Sequence, residues 1–329
     1  MSTTDLTNVP DLDVLNDRLN AVDFRAGWNK VAPSLWPFPR TDFVPMHWRW
    51  SDARLGLDSA GRLIDTELAE RRNLFLVNPV EGNSYSTLRT LVAAYQMILP
   101  GERARTHRHT PNALRFVLDV PDTAYTIVDG TRIDMRPGDV LLTPGWSWHG
   151  HGNDGDRPGY WVDFLDVPTV HLLEPMFLEL WPDRWQNAQT TTRQHPFVYP
   201  WSDTELALAA AALDPRHGQR VVLESGQFIP TMTLAVHRYP ANFTAVQLRT
   251  TANQIVLVKS GRGSAFCGDS QIDWTAGDVF AVPSWMPYYV STSETSELFV
   301  VSDAEMQRRL GYLREEQGAA AGDNSHALQ

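Results

Sequence analysis

The sequence predicts an all-β-dominated protein: two tandem antiparallel β-barrels of jelly-roll form, with a helical N-terminal arm and a short inter-barrel helix. Three observations carry this reading. From Asn73 onward short apolar runs such as "LFLVNP", "ALRFVLDV" and "GDVLLTP" are separated by Gly, Pro and Asp turns, as closely spaced strands require. Two stretches then recur: "HRHTPNALRFV" returns as "QLRTTANQIVL", with His107 and Gln247 140 residues apart, and "GDVLLTPGWSWHGH" returns as "GDVFAVPSWMPYYV", with His149 and Tyr288 139 apart. Two independent stretches sharing nearly one offset mark an internal repeat. Third, the paired histidines occur in the first copy only; the second has Gln247, Arg249, Tyr288 and Val290 at the aligned positions.

The elements follow in order. Residues 1–72 form an arm: 5–29 carry apolar positions at helical intervals, and 28–50 are rich in Trp, Pro and Phe without a period. Residues 73–183 make the first barrel, in which "VDGT" is a hairpin turn. Residues 184–219 connect the barrels through a helix at "DTELALAAAAL", closed by Pro215 and Gly218. Residues 220–303 make the second barrel, with Phe280 and Trp285 expected to fill its interior. Residues 304–329 read as a helix over "AEMQRRLGYLREEQ" and a disordered tail, "GAAAGDNSHALQ".

A chain of 329 residues with 43% hydrophobic and 20% charged residues can bury two ordinary cores. Its formal net charge of −11, without a Lys/Arg run, argues against nucleic acid or anionic lipid as partner. The acidic N-terminus has no apolar signal region and no stretch approaches a membrane span, while a lone Cys267 excludes an internal disulfide. A cytoplasmic location is expected.

In "GERARTHRHTPNALRF" the histidines at 107 and 109 are spaced i, i+2. Successive side chains on a strand point to opposite faces, so both imidazoles project into the barrel and Arg108 projects out. His149 and His151 repeat the spacing in "WSWHGHGN". Two such pairs, each after a Gly/Pro turn, point to a metal site rather than to structural histidines.

The spacing of Gly101, His107 and His109, and of Gly138, Pro144, His149 and Asn153, resembles the two motifs of the cupin superfamily. Two departures are visible: Trp146 stands where the second motif has a glycine, and Ala113 or Leu114 where the first has a glutamate. More narrowly, "LPGERARTHRHTPNALRFV", "GDVLLTPGWSWHGHGN" and "WVDFLDVP" resemble the gentisate 1,2-dioxygenase family, bicupins that include salicylate and 1-hydroxy-2-naphthoate dioxygenases. The resemblance spans nearly the whole chain. It implies Fe(II) held by His107, His109 and His149, a small aromatic acid and O2 as substrates, ring cleavage between the carboxyl-bearing and hydroxyl-bearing carbons, and a homo-oligomer, a tetramer in the family. Three neutral ligands leave the ion its full charge, which favours a chelating carboxylate and phenolate.

A buried guanidinium needs an anion, so Arg115 is expected to meet the substrate carboxylate; a salt bridge to a neighbouring acid is the structural alternative. His151 and Asp163 fall on family positions next to the ligands: His151 to take the phenol proton or hydrogen-bond the bound oxygen, Asp163 to fix its tautomer. Arg71 or Arg72 matches a second substrate-binding arginine, and Gln96 a pocket-lining position. Val92 and Ala94 replace a bulkier aromatic and a glycine of relatives, an altered space that suits a 5-substituted salicylate such as 5-nitrosalicylate. Two other readings stay open: a different metal-dependent cupin enzyme, isomerase or decarboxylase, and a non-catalytic aromatic-acid-binding bicupin.

Overall fold

The structure, a computed structural model, describes residues 5–29, 35–65 and 72–318. They divide into two compact units at Arg40/Thr41. The first holds a helix shorter than its apolar spacing predicts, α1 (Leu12–Asn20), because local capping sets both ends. The side chain of Asp11 accepts from Val14 N at the start, and Asp23 takes a left-handed φ of 63° just beyond the end.

In the second unit, β1 (Met46–Trp48) and α2 (Trp50–Leu63) precede the first barrel; the sequence reading does not distinguish this helix, which buries Ala53 and Leu57. The first barrel contains β2 (Arg72–Phe75), β3 (Val92–Ile98), β4 (Arg103–His109), β5 (Ala113–Asp119), β6 (Ala124–Val128), β7 (Thr131–Asp134), β8 (Val140–Thr143), β9 (His149–Asn153) and β10 (Gly159–Leu165). The connector supplies α3 (Val167–Leu173), β11 (Leu178–Leu180), β12 (Thr190–Thr191), β13 (Val198–Tyr199), α4 (Trp201–Ala210) and β14 (Leu213–Asp214). The second barrel contains β15 (Gly218–Leu223), β16 (Thr233–Tyr239), β17 (Leu248–Thr250), β18 (Gln254–Ser260), β19 (Arg262–Cys267), β20 (Ser270–Thr275), β21 (Val279–Val282), β22 (Tyr288–Thr292) and β23 (Ser296–Ser302), followed by α5 (Ala304–Arg309) and β24 (Glu315–Gln317).

Each barrel is a sandwich of two sheets. The first pairs β13-β8-β5-β10-β3-β2 with β11-β4-β9-β6-β7-β12, and the second pairs β1-β21-β18-β23-β16-β15-β14 with β20-β19-β22-β17-β24. The turn at Asp129 and Gly130, with φ of 45° and 81°, closes the predicted β6–β7 hairpin. Alternation along β3 separates two environments: Ala93, Tyr95 and Met97 join the core shared by both barrels, whereas Ile98 joins the interior of the first.

Four expectations need correction. The predicted C-terminal helix stops at Arg309, where Gly311 at φ 75° turns the chain, and 315–317 instead pair with β17. The inter-barrel helix ends at Ala210, before Pro215. Leu248 faces Tyr288 across β17–β22 as His107 faces His149 across β4–β9, so Leu248 and Thr250, not Gln247 and Arg249, occupy the ligand positions of the second barrel. Phe280 lies in that barrel's interior, but its buried tryptophan is Trp274; Trp285 sits in a turn with φ 63°. The segment 319–329, read as a disordered tail, lies outside the described residues.

The second barrel carries its own acid sensitivity. Burial lowers the pKa of His217 to about 4, and burial followed by the nearby His217 and Arg220 holds that of His237 well below the usual range. Asp214, beside His217, acts in the opposite sense on both. Both folded-state values lie below the unfolded one, so the unfolded chain binds more protons as pH falls below about 6.5, and stability drops from there toward pH 4. Melting temperature measured across that window should fall steeply for the wild-type chain and less steeply for the double variant His217→Gln/His237→Gln. Equal slopes would count against the assignment.

Candidate metal centre

Antiparallel pairing of β4 and β9 sets His107 directly opposite His149, and the two-residue period brings His109 to the same face. The ring centroids of His107 and His149 are 4.4 Å apart, those of His109 and His149 4.8 Å, and ligand atoms of all three lie within 4.8 Å of one another. Their outer nitrogens explain the orientation. Nδ1 of His107 contacts the Arg105 carbonyl at 3.0 Å, Nδ1 of His109 that of Pro111 at 2.8 Å, and Nδ1 of His149 that of Ser147 at 2.9 Å. A carbonyl only accepts, so each Nδ1 carries the proton and each Nε2 keeps its lone pair for a metal. Burial, then the neighbouring His107 and His109, hold the pKa of His149 well below the ordinary value, which keeps it in the neutral, ligating form. These residues fit a divalent transition-metal ion, and among the described residues no other such group occurs.

The opposite wall of the barrel comes from β3, β10 and β5. Their register sets Ala94, Asp163 and Arg115 in one cross-strand row, Gln96, Trp161 and Val117 in the next, and Val92, Leu165 and Ala113 in a third. Arg115 and Asp163 are only 2% and 3% exposed, with Nη2 and Oδ1 3.5 Å apart. Arg115 lies over the Trp161 ring at 5.3 Å, and its Nη1 is 2.6 Å from Nδ1 of His151. Nη2 of the same guanidinium is 3.1 Å from Nε2 of that ring, so Arg115 spans both ring nitrogens, and Thr126 Oγ1, which also donates to the Gly150 carbonyl at 3.2 Å, is 2.9 Å from Nδ1. Arg115 therefore stands between Asp163 and His151, and Asp163 acts on the imidazole only through the guanidinium.

Of the two candidate arginines, Arg71 lies outside the described residues. Arg72 pairs with Met97 and so faces the side of β3 away from the barrel interior. There it donates to Glu102 and to the carbonyl of Ile64 at the end of α2. That setting makes it a structural clamp. Trp146 holds the left-handed conformation of the missing glycine, φ 66°, and donates its N–H to the His109 carbonyl at 2.7 Å. Sequence reasoning missed Thr126 and Trp161. Nothing in "AYTIVDG" marks Thr126, whereas Trp161 stands two residues before Asp163 on the same strand face, a signal that period-two counting exposes.

Three neutral histidines converging inside one of two tandem jelly-roll barrels define a metal-dependent bicupin. The family described as Cupin domain matches residues 94–167. The chain is 35% identical to gentisate 1,2 dioxygenase 1 of Aquipseudomonas alcaligenes over 91% of its own length and 94% of that protein. It is 32% identical to the 5-aminosalicylate 1,2-dioxygenase of a Comamonas species, covering 95% and 92% of the two chains. The structure of salicylate 1,2-dioxygenase from Pseudaminobacter salicylatoxidans matches with a TM-score of 0.84 at 27% identity, over 94% of this chain and 98% of that one. The chain belongs to the gentisate/salicylate 1,2-dioxygenase family and is a ring-cleaving dioxygenase of that type. No helix among the described residues is long and apolar enough to cross a membrane.

Proposed function

We propose that the chain is an Fe(II)-dependent dioxygenase acting on a 2-hydroxybenzoate, cleaving between the carboxyl-bearing and hydroxyl-bearing carbons, with 5-substituted salicylates among its good substrates. The observation that carries this reading is the facing arrangement of the His107/His109/His149 triad and the Arg115/Asp163/His151 group inside one barrel. When bound, Fe(II) supplies the open coordination positions and electron transfer that couple an aromatic chelate to O2.

The protein binds and orients. Arg115 neutralises the substrate carboxylate, with Asp163 holding the guanidinium from behind and Trp161 beneath it. His151, held against the guanidinium through both ring nitrogens, stands beside the carboxylate-binding group, placed to hydrogen-bond a substrate oxygen or to take the phenol proton. Gln96 is the neutral donor nearest the far end of the ring, in the row beside Ala94. The active protein is a homo-oligomer, as the family resemblance implies, working in the cytoplasm.

Substrate choice is decided at Val92 and Ala94, both buried on β3. A 5-nitro group accepts hydrogen bonds without donating, so a small apolar surface with Gln96 nearby suits it. A 5-hydroxyl must also donate, and unless Gln96 turns its Oε1 toward it the hydroxyl is left buried and unmet at a cost of ~1–3 kcal/mol, about one to two orders of magnitude in specificity. Measured kcat/KM for 5-nitrosalicylate and salicylate should equal or exceed that for gentisate. A roughly hundredfold preference for gentisate would refute the altered pocket while leaving the dioxygenase reading intact.

A further inference from the structure

We infer that the second barrel, which has Leu248, Thr250 and Tyr288 at the positions of the histidine triad, holds the metal ligand His109 in place, through the hydroxyl of Thr231; Thr231 and Asp166 are positioning residues of the first barrel's reaction. This rests on the proposed function only in taking His109 as a ligand.

The connection is a short series of hydrogen bonds. His109 is held at its ring, where Nδ1 donates to the Pro111 carbonyl at 2.8 Å, and at its backbone, where its carbonyl accepts from Trp146 N at 2.7 Å. Asn112 pins both partner segments. Its Oδ1 accepts from Gly145 N at 3.0 Å, beside Trp146, and its own N and Nδ2 donate to the two oxygens of Asp166 at 2.8 and 2.9 Å. A Cβ on Gly145 would meet the Thr110 carbonyl at 2.5 Å, so these loops have little room to shift. Thr231, from the segment entering β16 of the other barrel, donates to Asp166 Oδ2 at 2.5 Å and accepts from Asn112 Nδ2 at 3.1 Å. Asp166 is 1% exposed, so losing that donor leaves a buried carboxylate under-satisfied and frees Asn112 to turn.

The fold contains its own control. The same fixture recurs in the opposite direction: Asn253 N and Nδ2 donate to Asp303 at 2.9 Å each, and Thr90 of the first barrel donates to Asp303 Oδ2 at 2.6 Å and accepts from Asn253 Nδ2 at 3.2 Å. Asn253 Oδ1 accepts from Ser284 N at 3.2 Å, and Trp285 N donates to the Thr250 carbonyl at 2.6 Å. Thr231 and Thr90 are both partly buried. The fixtures thus resemble each other in their Asn, Asp and Thr bonds and in depth, Asp303 having one further donor in Gln307 Nε2 at 3.0 Å, and differ in what they hold: His109 on one side, Thr250 on the other. A purely structural clamp has the same effect wherever it is cut, whereas a positioning clamp affects the metal only from the His109 side.

The test compares Thr231→Val with Thr90→Val in the full chain, loaded with Fe(II) for affinity and turnover and with Co(II) for its visible spectrum. Both variants should lose similar amounts of melting temperature. Thr231→Val alone should weaken Fe(II) binding about tenfold, the low end for groups that orient a ligand, alter the Co(II) spectrum and lower kcat with KM retained. Thr231→Ser, which keeps the hydroxyl, should restore all three; Thr231→Ala replaces the valine variant if valine prevents folding. Equal metal affinities and spectra in the valine variants, or a serine variant as impaired as valine, would overturn the inference. Failure of the metal-centre reading itself would show separately, as wild-type metal binding by His149→Ala.

Discussion

His149→Ala is expected to yield a folded protein that retains no iron and turns over less than about one thousandth as fast as the wild type, beyond the ~10–100-fold cost of losing a residue that only orients a ligand. Three Nε2 lone pairs converge because three carbonyls fix the tautomers, and removing the histidine opposite His107 on β9 leaves two ligands on a single strand, β4. Folding should survive, since the interior around Trp161, Val117 and Leu141 is assembled without the imidazole. Elemental analysis should find one iron per wild-type chain and none in the variant, and anomalous scattering at the iron edge should find none near Tyr288, where Leu248 and Thr250 offer no comparable donors. Full iron content in His149→Ala, or a second iron near Tyr288, would refute the assignment of ligands.

Much of this site is legible in the amino-acid order because strands translate spacing into direction. His-x-His on β4 and on β9, and Trp-x-Asp on β10, place their side chains on one face by period two alone. The repeat was equally readable, but its register was not: a one-residue difference between the halves moves the aligned positions from Gln247 and Arg249 to Leu248 and Thr250, and only cross-strand pairing settles which residue faces Tyr288. In the arm, Trp50, Ala53, Leu57 and Ala60 follow helical spacing, but the unperiodic Trp- and Pro-rich stretch 28–50 that runs into α2 masks where that pattern begins. Arg72 shows the limit of position-based transfer. An arginine in the right stretch faces the wrong side of β3 and secures the end of α2. The clamps at Asp166 and Asp303 join residues far apart in the chain, and nothing in either stretch announces the partner threonine in the other barrel.

Removing Arg115 should have the second large effect, and a single variant cannot interpret it. Arg115→Met leaves Asp163, 3% exposed, as a buried carboxylate without its cation, at a cost of about 3–5 kcal/mol of stability. Lost activity would then reflect either a damaged barrel or a missing carboxylate partner. Adding Asp163→Asn removes the stranded charge while nearly keeping the shape, so the double variant Arg115→Met/Asp163→Asn should regain most of the lost melting temperature. If Arg115 meets the substrate carboxylate, the double variant stays impaired: losing charge-assisted hydrogen bonds worth ~1.5–3 kcal/mol raises KM for salicylate about 10–100-fold. It should also prefer salicylate over salicylamide as a competing ligand less strongly than the wild type, because one of the two cations that favour the charged group is gone and only the metal remains. Iron content should stay at one per chain, since the triad stands on the opposite sheet. A stable double variant with near-wild-type KM for salicylate would show that Arg115 serves only to neutralise Asp163, and the cationic partner of the substrate carboxylate would then have to be sought elsewhere in the barrel.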